Sequence, residues 1–130
     1  MTTQQLQAAP ASFPGSMPEY LVYVTLIQLG KQPDADFTFQ SSLMGGRLER
    51  GGAVIDFLFS NPPDLAIAVQ GVYFHYGMGS EAQARDQIVR EQLAGQGITL
   101  IFIDEDDIME RPRYYVEEAL QYRDHSRMVN

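Results

Sequence analysis

Residues 53–70 read AVIDFLFSNPPDLAIAVQ, and this stretch decides the class of fold. Two apolar runs, 53–59 and 65–70, have the length of strands and flank the turn-forming sequence SNPPD. They predict two strands joined by a tight turn. The exception in the first run is Asp56, a carboxylate that is costly to bury unless its charge is compensated.

The flanking segments extend this pair of strands to an α/β pattern. Capping-box sequences at Ser16 and Ser80 each predict the start of a helix. The predicted order is α-β-β-β-α-β-α, from helix 18–29, strands 37–41, 53–59 and 65–70, helix 80–93, strand 98–103 and helix 112–122. Three strands followed by a helical crossover predict a mixed sheet with helices packed on it. The uninterrupted apolar strand 98–103 is expected at the centre of the sheet, buried on both faces.

Length and composition limit the class of protein. The 130 residues predict a single domain at 16–130, preceded by a polar, Ala/Pro-rich flexible arm at 1–15. The absence of cysteine excludes a disulfide framework, a thiolate metal site and a cysteine nucleophile. Without a membrane-length apolar run or the basic and apolar regions of a signal peptide, we expect an intracellular, cytoplasmic protein with no membrane partner.

The net charge of −8, from nine basic and seventeen acidic residues, disfavours a non-specific coat protein of nucleic acid. It is compatible with an enzyme that acts on nucleic acid, because a metal site needs carboxylates locally.

Asp56 has two interpretations. It lies on the solvent side of an edge strand, or it is an oxygen ligand of a hard divalent cation. Strand alternation puts it on the same side as the apolar Val54 and Leu58, which favours the cation ligand.

The layout of these residues resembles a known family. An aspartate in one strand, a short turn and a second strand ending in Gln70 are similar to the PD-(D/E)XK nucleases, the family with the restriction-endonuclease fold. The sequence VQGVYFH at 69–75 and a later strand ending in Asp104 most resemble the very-short-patch-repair endonuclease branch. The resemblance covers residues 18–108. It implies an α-β-β-β-α-β core, with a mixed central sheet flanked by helices, and a metal-dependent DNA endonuclease.

The resemblance also implies roles for individual residues. Asp56, the main-chain carbonyl of Val69 and Glu19 would hold Mg²⁺, with Mn²⁺ as a substitute. Gln70 would orient the attacking water, and His75 would transfer a proton. Three of these residues have ordinary alternatives: Glu19 is also the capping-box glutamate of the first helix, Gln70 can be a plain strand-end glutamine, and His75 can simply pack among its aromatic neighbours.

Ala68 departs from the family pattern, because the second acidic ligand usually stands at this position. In the very-short-patch-repair branch that acid is also missing, and a carbonyl one residue later, here that of Val69, helps to bind the metal. The other interpretation is a lost or removed ligand. The protein would then be a catalytically inactive DNA-binding or assembly module on the same fold.

DNA is the expected partner, and the DNA contacts are assigned to Arg47, Arg50 and Tyr73. The arginines suit phosphate contacts, although they also fit a flexible hairpin tip. Tyr73 can stack on exposed bases or form a dimer contact. A junction-resolving enzyme of recombination would be a homodimer with paired cuts, whereas a repair enzyme would act on mismatched or nicked duplex. A flavodoxin-like small-molecule enzyme is the third candidate, disfavoured by three strands before the first crossover.

Two acidic features receive simpler interpretations. By the resemblance, Asp86 would correspond to a helix acid that steadies His75. Its i,i+4 spacing to Arg90 instead favours an ion pair on a solvated helix face. The acids at 104–107 lack the spacing of an EF-hand, and we expect them to be solvated groups at a strand end.

Overall fold

The computed structural model describes residues 13–39, 55–71 and 80–128. In chain order the described elements are α1 (Met17–Gln28), β1 (Phe37–Phe39), β2 (Phe57–Phe59), β3 (Leu65–Gln70), α2 (Ser80–Ala94), β4 (Thr99–Asp104), α3 (Glu105–Glu110) and α4 (Pro112–Leu120). The predicted order is confirmed, with α3 as an addition. The acidic sequence after β4, which was expected to be a solvated strand end, forms this short helix.

The strands form one mixed sheet in the order β1-β2-β3-β4. β1 pairs antiparallel with β2, and β2 pairs antiparallel with β3. β4 runs parallel to β3, with Leu65 opposite Thr99 and Gln70 opposite Asp104. The crossover through α2 explains the parallel pair, because a strand must return to the same end of the sheet before it can run alongside. The coarse prediction of a mixed sheet flanked by helices is therefore confirmed.

Among the described strands β4 lies at the edge of the sheet, so the prediction of a central position was wrong. The prediction of burial on both faces was right, since residues 100–104 are all at most 3% exposed. An uninterrupted apolar strand indicates that its side chains are buried on both faces of the sheet. Helices that cover both faces bury such a strand at the edge of a sheet as well as at its centre.

Helices cover the two faces of the sheet unequally. The face covered by α1, α3 and α4, here the α1 face, holds the larger core, whose strand members include Phe37, Phe57, Phe59, Leu65, Ile67, Ile101 and Ile103. The opposite face, the α2 face, is smaller and includes Ala66, Ala68, Val89, Leu93, Leu100 and Phe102. Side chains alternate between the faces along each strand.

The edge of β4 is covered by the C-terminal strap, residues 121–128. The Phe102 N–H donates to the Asp124 carboxylate over 2.8 Å, and the Arg127 N–H donates to Asp104 over 3.0 Å. At the other end of the strap the Tyr122 hydroxyl donates to the Pro63 carbonyl. Covering an edge in this way satisfies backbone groups that would otherwise offer pairing sites.

Several predictions fall outside the described residues, among them the connection that carries Arg47 and Arg50 and most of the arm at 1–15. Of that arm, residues 13–15 are described, and the Phe13 ring packs 5.1 Å from Tyr20 and 5.0 Å from Phe39. No helix in the three described ranges is long and apolar enough to cross a membrane.

Candidate functional site

Asp56 occupies a bend immediately before β2 rather than a position inside the strand. Of the predicted strand 53–59, residues 55–59 are described, and only Phe57–Phe59 form a strand. The partly buried Asp56 side chain turns toward β3, where its Oδ2 accepts the Val69 N–H over 2.7 Å. Because Phe57 pairs with Ile67, Val69 lies just beyond the end of the β2–β3 ladder. The carboxylate thus binds a backbone donor that the shortened ladder no longer pairs.

The Val69 carbonyl points to the same side of β3 as its N–H, as both groups of one strand residue do. Since the N–H meets the Asp56 carboxylate, the carbonyl oxygen is directed toward the β2 side as well. The two groups that the resemblance assigned to one metal therefore belong to one corner of the sheet.

Glu19 reaches the same corner from α1. It completes the capping box, accepting the Ser16 N–H over 2.7 Å while its own N–H donates to Ser16 Oγ over 3.3 Å. Its carboxyl group also lies close enough to that of Asp56 to raise the pKa of Asp56. The cap and the site are thus two simultaneous roles of one side chain.

Gly15 leaves room for the Phe39 ring and for the Glu19 carboxylate beside it. A Cβ at that position would lie 2.7 Å from the Phe39 ring and 3.1 Å from Glu19 Oε1, so a larger residue would displace them.

Burial raises the pKa of Asp56 well above its usual range, and the neighbouring Glu19 raises it further through a hydrogen bond and through its charge. The Val69 N–H lowers this pKa, and the charge of Asp86 adds a smaller upward effect. Two ionised carboxyl groups at close range repel each other, so the neighbouring Glu19 favours the protonated form of Asp56. Such a pair also suits a cation, which neutralises both charges at once.

Gln70 ends β3 on the α2 face and is 2% exposed. Its Oε1 atom has no hydrogen-bond partner among the described residues. A buried carbonyl oxygen without a donor is energetically costly. Ala68, two residues earlier on the same face, is 8% exposed and packs in the apolar α2-face cluster.

The interpretation of Asp86 as part of a solvated helix face was wrong, whereas its predicted support of His75 involves a residue outside the described ranges. Asp86 is 7% exposed and lies in the same helix stripe as the buried Val89 and Leu93. The signal was present in the sequence: residues three and seven positions apart on a helix share one face. Arg90 contacts elsewhere, 3.6 Å from Asp124 and 4.7 Å above the centre of the Phe102 ring.

A second acidic group surrounds the start of α3. Asp104, Asp106 and Asp107 offer carboxylate oxygens within 4.8 Å of one another, a spacing that a metal ion can use. Arg127 already occupies this group, with Nη1 3.2 Å from Asp104 and Nη2 2.6 Å from Asp106. Asp104 is 1% exposed, so the expectation of fully solvated acids was wrong for this residue. An arginine that satisfies a buried carboxylate is a structural interaction at the strap.

The structure therefore brings together Asp56, Glu19 and Val69, with Gln70 next along β3. The other predicted site residues lie outside the described residues: Arg47, Arg50, Tyr73 and His75.

Comparison of the chain with models of known protein families, with curated proteins and with solved structures finds no match.

Proposed function

We propose that this chain is a metal-dependent endonuclease that hydrolyses phosphodiester bonds of DNA. The observation that carries the proposal is the Asp56–Glu19 carboxyl pair at the open end of the β2–β3 ladder, beside the Val69 main chain. Structural ion pairs join opposite charges, whereas two neighbouring acids of which one is buried are typical of a site for a positive ligand.

The residues fit a hard divalent cation. Asp56, Glu19 and the Val69 carbonyl offer oxygen atoms alone, and oxygen is the ligand that Mg²⁺ and Mn²⁺ prefer. A cation bound by both carboxylates would offset the burial and the repulsion that raise the pKa of Asp56. No thiolate competes, because the chain has no cysteine.

When bound, such an ion neutralises charge on the scissile phosphate and lowers the pKa of the attacking water. Asp56 and Glu19 then act as its carboxylate ligands. Gln70 is suited to orient the water, because its Oε1 is an acceptor that lacks a donor among the described residues. His75 remains the proposed proton-transfer residue.

The restriction-endonuclease-like core is part of this proposal. The described order α-β-β-β-α-β, with three antiparallel strands and a fourth parallel to the third, is compatible with it. α3, α4 and the strap then follow as additions. Repair-type or junction-resolving activity, with a homodimer for paired cuts, is the narrower form of the proposal.

The test is cleavage of end-labelled duplex, nicked and four-way-junction DNA with Mg²⁺ or Mn²⁺. We expect wild-type cleavage that disappears with EDTA and with Asp56→Asn. The matched control is Glu91→Gln, which removes one acidic charge from an exposed position of α2 and should cleave like the wild type. Cleavage that survives in Asp56→Asn would contradict the assigned site. The absence of cleavage in the wild type on every substrate would contradict the nuclease.

An inactive DNA-binding or assembly module is the second candidate. It is favoured by Ala68, whose methyl group packs in an apolar cluster where the family's second acid would stand. The variant Ala68→Glu separates the two candidates. Cleavage gained by Ala68→Glu from a silent wild type would identify a removed ligand, whereas salt-dependent DNA binding without cleavage in either protein would support the module.

A further inference from the structure

A groove lined by aromatic side chains lies between α1, β1 and the residues just before α1. We propose that this aromatic groove binds a proline-rich segment of a partner protein, with a lysine or arginine next to the prolines. The rings that line the groove are those of Phe13, Tyr20, Tyr23, Phe37 and Phe39. Peptide binding of this kind is separate from the proposed DNA cleavage and does not depend on it.

The walls of the groove are rings that pack against one another. The Phe13 ring lies 5.0 Å from Phe39 and 5.6 Å from Tyr23, and the Tyr23 ring lies 5.7 Å from Phe37. Phe37 is buried, whereas Phe13, Tyr23 and Phe39 are only half-buried and leave part of their surface accessible. The groove has a volume of about 450 Å³, within the range of about 300–1,000 Å³ that is usual for ligand sites. It is therefore large enough for several side chains of a peptide.

An aromatic surface of this kind suits proline. Grooves lined by aromatic side chains bind proline-rich segments in the polyproline II conformation. Such a segment is already extended in solution, so it loses little conformational entropy when its rings pack on the aromatic wall.

Two tyrosine hydroxyls add polar contacts to the apolar wall. Tyr20 and Tyr23 are three positions apart on α1 and therefore share one face of the helix. Within residues 13–39, 55–71 and 80–128 neither hydroxyl has a hydrogen-bond partner. A polyproline II segment has backbone carbonyls that make no internal hydrogen bonds. Two hydroxyl donors beside the rings match the need of these carbonyls for donors.

Asp34 determines the charge of the expected partner. Among the described residues it is the one charged side chain that lines the groove, and it is exposed. Its backbone is in the left-handed region, with φ at 69°, and its N–H donates to the Phe37 carbonyl over 2.7 Å. The carboxylate of Asp34 has no partner within the described part of the chain. The carboxylate of Asp36, by contrast, accepts from the Gln32 N–H and from the Asn61 side chain.

A free carboxylate beside an apolar wall is complementary to a lysine or arginine that flanks the prolines. The net charge of −8 favours the approach of the same partner and disfavours an acidic one.

The experiment titrates the fluorescein-labelled peptide Arg-Pro-Pro-Ala-Pro-Pro-Ala with the full chain in EDTA near neutral pH and measures fluorescence anisotropy. We expect binding that Tyr23→Phe weakens about threefold to tenfold, because the variant keeps the ring and loses only the hydroxyl. Asp34→Asn should weaken binding about twofold to fivefold. It should have no such effect on the same peptide with glutamate in place of arginine. Asparagine tolerates the left-handed backbone at this position, so Asp34→Asn should fold.

Matched controls change the same chemical groups outside the groove. Tyr114→Phe removes the hydroxyl of an exposed tyrosine on α4, and Glu91→Gln removes an exposed acidic charge on α2. Both should bind the peptide like the wild type. Unchanged affinity in both Tyr23→Phe and Asp34→Asn would overturn the proposal, as would a wild type that does not bind the peptide at millimolar concentration.

Nuclear magnetic resonance separates the peptide from other occupants of the groove. Amide shift changes at residues 13–39 on addition of the unlabelled peptide would support the proposal. Shift changes at these residues when the protein alone is diluted would instead assign the groove to a second copy of the chain. Changes caused by single-stranded oligothymidylate and not by the peptide would assign it to nucleic acid. Either of these two results would overturn peptide binding, and because EDTA is present, none of the outcomes depends on DNA cleavage.

Discussion

Glu19 allows the fold and the proposed site to be tested with one pair of variants. Its carboxylate accepts the Ser16 N–H at the start of α1 and also contacts Asp56. Glu19→Gln keeps the Oε1 acceptor of the cap but removes the charge, whereas Glu19→Ala removes both. We expect the glutamine variant to keep α1 capped and to lose the cation, and the alanine variant to lose both functions.

Both variants remove the same charge beside Asp56. The difference between their free energies of unfolding therefore measures the contribution of the capping hydrogen bond. A net hydrogen bond of this kind contributes about 1 kcal/mol. Alanine recovers about 0.3 kcal/mol through its higher helix propensity. The remaining difference is about 0.7 kcal/mol. With an unfolding entropy of about 2.1 cal/mol/K per residue over 130 residues, Glu19→Ala should melt about 2–3 °C below Glu19→Gln.

Differential scanning calorimetry without metal measures the melting difference, and Mn²⁺ titration measures the affinity. Both variants should bind Mn²⁺ at least about tenfold more weakly than the wild type. Equal melting temperatures for the two variants would refute the capping role of the carboxyl oxygen. Wild-type Mn²⁺ affinity in Glu19→Gln would refute its role as a ligand, whatever the melting temperatures.

Three further predictions concern stability. The pKa of Asp56 is raised in the folded state, so its stabilising effect is complete below the ordinary value of about 3.9 and is lost as the pH rises through the folded value. Metal-free wild type should therefore lose melting temperature relative to Asp56→Asn as the pH rises above about 4. Parallel curves for the two proteins would contradict this. Arg127→Ala removes a side-chain donor from the buried Asp104 and should lower the free energy of unfolding by about 1–2 kcal/mol, or the melting temperature by about 4–7 °C in calorimetry. The control Arg113→Ala breaks an exposed ion pair and should cost less than about 0.5 kcal/mol. Similar losses in the two variants would refute the importance of the strap. Phe57 is fully buried, so Phe57→Ala should lower the free energy of unfolding in urea by about 3–5 kcal/mol, and Phe57→Leu should lower it clearly less. A loss under about 1 kcal/mol for the alanine variant would contradict the place of Phe57 in the core.

The local elements were predictable because local signals specify them. The capping box at Ser16 and the left-handed Gly30 bound α1, and β3 has the predicted limits Leu65–Gln70. The strand around Asp56 was predicted too long, because its apolar residues suggested pairing where the carboxylate instead binds the Val69 N–H. Helix α3 was missed because its acidic first turn reads as a polar loop, although acids at a helix N-terminus are favourable.

The sequence by itself determined the α/β order of the elements, since periodicity, caps and turn residues act over a few neighbouring residues. Only the tertiary structure decided that β4 lies at an edge beneath the strap and that Asp86 is buried. It also brought Glu19 and Asp56, which are distant in the chain, into contact. The physical reason is that strand order and helix placement depend on which apolar faces are buried against one another. The free energy gained by that burial comes from contacts between segments that are distant in the chain.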